Sequence, residues 1–452
     1  MNLENIKLYV DDRPEERIFR VHRDVFADPE LFELEMKYIF ERTWSFLGLE
    51  SQLAKANDFF TGTIGRTPVL VTRDASGRLG AFVNACRHKG ATVARVESGN
   101  AKFHVCPYHG WAYDATGRCV DIKDRAAGAY SAAFDADDHG LIPIARVESY
   151  KGLIFGCLSP DVPALPEFLG ELRFFIDCAM EQAPHGMEFI PGRSVYDYRG
   201  NWKLQLDNGV DPYHLTTTHV AFIDVQRRRR KGEGNVEARQ FDWDARANIG
   251  GGIYNFDHGH SALWRYHPGD EAVKRPIFPV IDQIAERVGK LRADWMLKPR
   301  TVIVFPNLQI ADTVALMLRT FRPISVDRTE MRSWCLAPIG EDPVLRAQRL
   351  RQFEDFFNPG GMATPDDTIT YEDCQRGFAA EGNDWMQGYE RGYQKLVAGG
   401  NDVSAELGLK VEESLIGVSG MNGTMQEIAM QAPYKEWVRL MEAGLAGRKA
   451  YP

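Results

Sequence analysis

Cysteine is scarce: the 452-residue chain holds seven. An odd, sparse set makes no disulfide framework and points to a reducing cytosol. Five of them, Cys119, Cys157, Cys178, Cys335 and Cys374, read as small buried apolar side chains. Long apolar runs are missing too; none reaches the roughly 18 residues that a membrane span needs. The opening MNLENIKLYVDDRPEER has no apolar stretch after a basic start, so no secretory signal is expected. Positive charge is in deficit, with 54 Lys and Arg against 63 Asp and Glu and a net charge of −9. A nucleic-acid binder is therefore not the expectation. Internal repeats and low-complexity linkers are also lacking.

What remains is an ordinary globular composition, 44% hydrophobic and 26% charged, over a length that calls for more than one domain. Asp28 before Pro29 predicts a helix start. Phe32, Met36, Ile39 and Phe40 follow at helical spacing. From Trp44 to Cys157 the texture is short and β-like, with TPVLVTRD, GAFVNAC, AKFHVC, GWAYD and GLIFGCL set between glycine-containing turns. That predicts a small all-β domain. Longer segments follow. LPEFLGELRFFIDCAMEQ, EDPVLRAQRLRQFEDFF and TMQEIAMQAPYKEWVRLMEAG read as helices. SVYDY, RTVIVFPNLQI, VALMLRTFRPISV and MRSWCLAPIG read as strands, giving an α+β domain with an antiparallel sheet.

Inside the β-like region, Cys86 and His88 are followed after seventeen residues by Cys106 and His109. Four-ligand Cys/His sites hold zinc or an iron–sulfur cluster. Zinc sites commonly pair cysteine with cysteine and histidine with histidine; here each loop brings one of each. In a mixed [2Fe–2S] centre two thiolates hold one iron and two imidazoles the other, which lifts the potential to roughly −150 to +300 mV. Gly90 and Gly110 stand just after the histidines and let the backbone approach a cluster. The pattern through His109, Gly110 and Trp111 resembles the Rieske signature, with a zinc ribbon as the alternative. His104 reads as a strand residue.

A second constellation is GNWKLQLDNGVDPYHLTTTHV, in which Asp211, His214 and His219 fall within nine residues. Two imidazoles and a carboxylate suit a facial triad on Fe(II), with positions open for O₂ and substrate. A five-residue spacing offsets the two histidines by roughly 140° on an ideal helix. The helix must therefore be loosened or broken between them.

This segment resembles the α subunit of Rieske non-haem iron aromatic ring-hydroxylating oxygenases. It matches at Asn201, Trp202, Lys203, Asp207, Asn208, Asp211, Tyr213, His214 and His219. The resemblance implies that His214 and His219 bind iron and that the third ligand is Asp367, the second acid of Asp366-Asp367. Read alone, that acid pair is a helix N-cap. It further implies that Asp211 joins His214 to the cluster ligand His109 of a neighbouring subunit, and that Asn208 lies near the iron. A homotrimer of α, in an α3β3 assembly with a small β subunit, is implied. So is an NADH-dependent flavin/iron–sulfur reductase as electron source. The implied fold is a Rieske domain over 40–157 inserted in a helix-grip catalytic domain formed by 1–39 and 158–452.

Gly361 to Asp367 and the N-terminal YVDDRPEERIFRVHRDVFADPELFELEMKYIFERTW are similar to the benzoate, anthranilate and 2-halobenzoate branch. Arg319, in an otherwise apolar strand, matches an arginine of carboxylate-using members and is the candidate for the substrate carboxylate. Its bland reading is an ion pair with a core acid. The basic run Gln226 to Gly234 reads as a solvated loop, or as a patch that draws in anions. His258 and His260 read as loop or pocket-wall residues. The expected activity is addition of both atoms of O₂ to an aryl carboxylate in the cytoplasm. Salicylate-type monohydroxylation and a pure Rieske electron carrier are the alternatives.

Overall fold

The computed structural model describes residues 5–233, 249–267, 271–417 and 426–451. The chain divides into two compact units, Phe40–Leu165 and Met1–Ile39 with Pro166–Ala450. The small unit runs past the expected edge at Cys157 because the next residues are tied back to it. Trp44 Nε1 donates to Pro163 O at 2.9 Å, Arg146 to Val162 O at 3.0 Å, and Leu165 N to Glu148 Oε2 at 2.8 Å.

The small unit is built from three antiparallel sheets. One has four strands in the order Leu79–Val83, Thr67–Arg73, Asp58–Ile64 and Ser98–Asn100. A second joins Cys119–Asp121, Ala112–Asp114 and Phe103–Val105. The third joins Arg146–Tyr150, Leu153–Cys157 and Ser45–Leu49. Alternation sets the faces: Val69 and Val71 join Phe60 and Ile154 in one buried cluster, while Leu70 between them joins Phe59 and Phe82 in another.

The large unit is organised by a ten-stranded sheet whose pairings are all antiparallel. Its centre runs Arg328–Pro338, Leu316–Ser325, Leu308–Asp312, Arg300–Val304, Ser261–Arg265 and Gly251–Asn255. RTVIVFPNLQI, expected as extended chain, is two of these strands joined by a tight reversal. Ala311, Met317 and Cys335 on one sheet face meet Phe222, Phe353 and Phe356 from two helices in one apolar cluster. The early helix Pro29–Glu35 starts as predicted, with Asp28 Oδ1 accepting from Glu30 N at 2.7 Å and Leu31 N at 3.3 Å.

Several expectations are corrected. The basic run is not a loop: Val220–Arg230 is helical, and only Lys231 to Glu233 leave the helix among its described residues. Phe222, Ile223, Gln226 and Arg229 form its buried side, and Arg229 grips Asp355 through two hydrogen bonds of 2.5 and 2.9 Å. Gly234 lies outside the described residues. The last helix begins at Gln431, after a 3₁₀ turn at Ile428–Met430; Thr424 and Met425 lie outside the described residues. Cys374 is exposed and Cys119 half-buried, so the apolar reading holds only for Cys157, Cys178 and Cys335. His260 is a satisfied core residue. Its Nδ1 accepts from Phe305 N at 3.1 Å and its Nε2 donates to Phe168 O at 3.0 Å, while burial pushes its pKa down to about 3. His258 sits in the adjoining turn with φ +58°. No helix among the described residues is long and apolar enough to cross a membrane.

Candidate active site: two ligand clusters

The four residues singled out in the small unit stand on two matching turns. Gly90 N donates to Cys86 O at 2.8 Å, and Gly110 N donates to Cys106 O at 3.0 Å. Cys86 N and Cys106 N each donate back across their turn, to Ala91 O and Trp111 O, both at 2.8 Å. Gly90 and Gly110 share φ +76°, a left-handed conformation that closes each turn and disfavours any other residue. The cysteines are buried and the histidines half-buried. The turns thus aim sulfur inward and imidazole outward. His88 Nδ1 and His109 Nδ1 converge to 3.0 Å, close enough to share one metal. Tyr113 OH lies 3.2 Å from Cys86 Sγ and accepts from Arg87 N, and Trp111 stacks on His88 at 5.1 Å. A pair of sulfurs inside and a pair of imidazoles at the rim fits a mixed-ligand [2Fe–2S] cluster. His104 is a buried strand residue set edge-on to Phe59.

In the large unit, His214 precedes the short helix Leu215–Thr218, and His219 stands between it and Val220–Arg230. His219 has φ −101° and ψ 31°, so the helix breaks there, as the five-residue spacing requires. Asp367 lies in the first turn of Thr364–Phe378. One ligand atom from each of His214, His219 and Asp367 lies within 4.8 Å of the other two. Asp367 Oδ1 is 3.6 Å from His214 Nε2 and 3.3 Å from His219 Nε2. Two nitrogens and one oxygen around a common point fit a mononuclear iron with open coordination positions.

The surrounding groups orient these donors. Asp211 Oδ2 is 3.0 Å from His214 Nδ1, which keeps the proton there and leaves Nε2 free for a metal. Asn208 Nδ2 donates to Asp367 Oδ1 at 3.1 Å and lies 3.4 Å from His214 Nε2. Burial pushes the Asp367 carboxyl up, but His219, His214 and Arg319 outweigh it and hold its pKa below the usual range. Burial likewise lowers the His214 pKa, and the hydrogen bond to Asp211 reverses it to a net rise. Asp366 does not act as a helix cap. Its Oδ2 instead lies 3.6 Å from His219 Nδ1, and neither atom has a hydrogen-bond partner. Asp366 thus faces His219 somewhat as Asp211 faces His214, a role that the acid pair in the sequence did not suggest.

A cavity of about 120 Å³ opens on the triad. Its walls include Leu263, Ala311, Val314, Phe356 and Phe357, and Arg319 reaches into it. His258 and His260 do not line it. Sequence reasoning missed the polar layer of Gln205, Gln309 and Thr301 beside Arg319, since single amides in strands and helices carry no pattern. It also missed that Asp207, half-buried, is held between Tyr389 OH and Tyr434 OH at 2.8 and 2.9 Å, its pKa pushed up to about 8 by desolvation.

A β domain that brings two sulfurs and two imidazoles together, and a sheet domain that brings two imidazoles and a carboxylate to a cavity, fit a two-centre oxygenase. The chain matches the Rieske [2Fe–2S] domain over residues 43–150 and the ring hydroxylating alpha subunit catalytic domain over residues 191–443. It belongs to the family of ring-hydroxylating dioxygenase α subunits, with a Rieske cluster and a mononuclear iron as cofactors. It is 43% identical to toluate 1,2-dioxygenase subunit alpha of Pseudomonas putida, over 90% of this chain and 89% of that one. It is 38% identical to the 2-halobenzoate 1,2-dioxygenase large subunit of Burkholderia cepacia, over 88% and 86%. It is 36% identical to the anthranilate 1,2-dioxygenase large subunit of Acinetobacter baylyi, over 96% and 92%. Naphthalene 1,2-dioxygenase bound to phenanthrene shares the fold, with a TM-score of 0.81, 23% identity, and coverage of 100% and 98%.

Proposed function

We propose that this chain dihydroxylates an aryl carboxylate of the benzoate, anthranilate or 2-halobenzoate type. One observation carries the reading. Five arginines are buried among the described residues: Arg229, Arg275, Arg300, Arg319 and Arg349. Four bond a carboxylate: Arg229 bonds Asp355, Arg275 and Arg300 share Asp312, and Arg349 bonds Glu341. Arg319 makes no such pair among the described residues, yet it is only 3% exposed and lines the cavity beside the triad. The Asp367 carboxylate feels this charge without bonding it and is engaged by the two histidines, so a buried guanidinium with no carboxylate bonded to it would gain from an anionic substrate. Relatives named for toluate, 2-halobenzoate and anthranilate support the same class.

When bound, the cluster supplies single electrons and the mononuclear iron, held by His214, His219 and Asp367, supplies O₂ activation. Arg319 holds the carboxylate, and Leu263, Ala311 and Val314 receive the ring. Asp211 fixes the His214 tautomer and is the proposed electron bridge toward His109 of a neighbouring copy; Asn208 orients Asp367. Two electrons and two protons accompany O₂ onto adjacent ring carbons. Benzoate gives a cis-diol acid; anthranilate or a 2-halobenzoate collapses to a catechol with loss of CO₂ and the ortho group. The assembly is an α3β3 hexamer fed by an NADH-dependent flavin/iron–sulfur reductase in the cytoplasm.

Arg319→Leu is expected to raise KM for aryl acids at least about tenfold, the worth of a charge-assisted hydrogen bond. Single turnover of the reduced protein with ¹⁸O₂ and benzoate, anthranilate, 2-chlorobenzoate and salicylate should give a product with two labelled oxygens. Unchanged kinetics in the variant would overturn the role of Arg319. One labelled oxygen would overturn dioxygenation in favour of monohydroxylation.

A further inference from the structure

We infer that Gln205 is a positioning residue for substrate choice: it orients Arg319 without neutralising it, so that the cation stays available to an anionic substrate. This rests on Arg319 being the carboxylate anchor.

Strand register brings the parts together. Gln309 pairs with Arg319, and Arg319 pairs with Ser333, so three polar side chains occupy one cross-strand row. The helix Lys203–Asn208 brings Gln205 to that row. Gln309 Nε2 donates to Gly209 O at 3.1 Å and Thr301 Oγ1 at 3.3 Å. The Gly209 carbonyl can only accept, which fixes the Gln309 amide and turns its oxygen to Gln205. Gln205 Nε2 donates to that oxygen at 3.2 Å. Gln205 Oε1 must then face the other way, where it accepts from Tyr371 OH at 3.3 Å and Arg319 Nη1 at 3.5 Å.

The rest of the guanidinium is held the same way. Nε donates to Ser333 Oγ at 2.9 Å, and Nη2 donates to Thr364 Oγ1 at 3.2 Å and Phe357 O at 3.4 Å. Each acceptor is neutral. Most of these contacts are longer than the roughly 2.7–2.9 Å of charge-assisted bonds to carboxylates. Nη1 carries two hydrogens and has one acceptor, Gln205, so a donor is left over. The four other buried arginines among the described residues are each closed by an acid. An acid at position 205 would close Arg319 in the same manner and take the place of the substrate's charge. A glutamine there supplies the same reach without the charge.

The test is calorimetric titration of benzoate, and of neutral benzamide, into the iron-replete holoenzyme under anaerobic conditions. Gln205→Glu should weaken benzoate binding roughly 10- to 100-fold, while benzamide binding stays near that of the parent. In an Arg319→Leu background, Gln205→Glu should add little further loss, because the interaction it poisons is already gone. Parent-like benzoate affinity in Gln205→Glu would overturn the inference, and so would equal losses for benzoate and benzamide. Should Gln205→Glu not fold, Gln205→Met decides: the inference expects a loss confined to benzoate, and an unchanged ratio of the two ligands would overturn it. An Arg319→Leu protein that binds benzoate as the parent does would instead sink the anchor reading itself.

Discussion

Cys86, His88, Cys106 and His109 sit on two similar turns within 24 residues, each turn closed by its own backbone hydrogen bonds and one left-handed glycine. His214, His219 and Asp367 are drawn instead from a broken helix and from a second helix that follows after most of the central sheet's strands. Their orientation comes from side chains: Asp211 on His214, Asp366 near His219, Asn208 on Asp367. The first site is local and backbone-held. The second is long-range and side-chain-held, and it depends on how well the large unit is packed. The contrast suits the two tasks. An electron carrier gains from a rigid cage that changes little on reduction, whereas an oxygenating iron needs open positions beside a cavity.

Asp367→Ala is the hardest blow to this contrast. Removing the only acid of the triad should abolish mononuclear iron binding and turnover, while iron content attributable to the cluster and its visible spectrum stay unchanged. Metal analysis together with the cluster's electron paramagnetic resonance signal reads both at once. Loss of the cluster signal as well would mean that the cluster turns do not hold by their own local hydrogen bonds.

The same contrast explains what the sequence made legible. A backbone-held site writes itself into spacing, so C-x-H and C-x-x-H with their glycines could be read directly. The break at His219 was also legible, because five residues cannot bring two imidazoles to one metal on an intact helix. Asp367 was not reachable that way; only resemblance pointed to it, since nothing local links it to His214. The helix through Gln226 and Arg229 was hidden because an inner face that begins with the apolar Phe222 and Ile223 continues in polar letters, with Arg229 closed by Asp355 rather than by apolar packing. Gln205 and Gln309 were silent for a related reason. Their meaning lies in which side chain each one faces, and register across strands from distant segments decides that.

A second test bears on packing. Glu35, fully buried, bonds Lys203 Nζ at 2.6 Å, Trp202 Nε1 at 2.8 Å and Trp437 Nε1 at 2.7 Å. It joins the N-terminal segment and the last helix to the start of the helix that carries Gln205 and Asn208. Lys203→Met leaves a carboxylate buried beside two indoles and should cost about 3–5 kcal/mol. Urea unfolding followed by tryptophan fluorescence would show the loss. The cluster absorbance should bleach at an unchanged urea concentration if the local site needs only its own turns. A common shift of both signals would break the comparison.

The smallest effect is expected at Gly90. A Cβ built there meets no atom within 4 Å, so Gly90→Ala adds no clash and its cost is the left-handed backbone alone. That is about 1–2 kcal/mol. The amide that donates to Cys86 O is retained, and so is the ligand spacing. The cluster should therefore assemble, with its thermal bleaching midpoint lowered by a few degrees and its reduced-state spectrum unaltered. Failure to assemble would mean that Gly90 serves as more than a turn residue, and that close approach of the bare backbone to the cluster is itself required. Gly110 shares the same φ, but a Cβ there would come within 4.0 Å of Lys123, so Gly90 is the position where conformation is tested by itself.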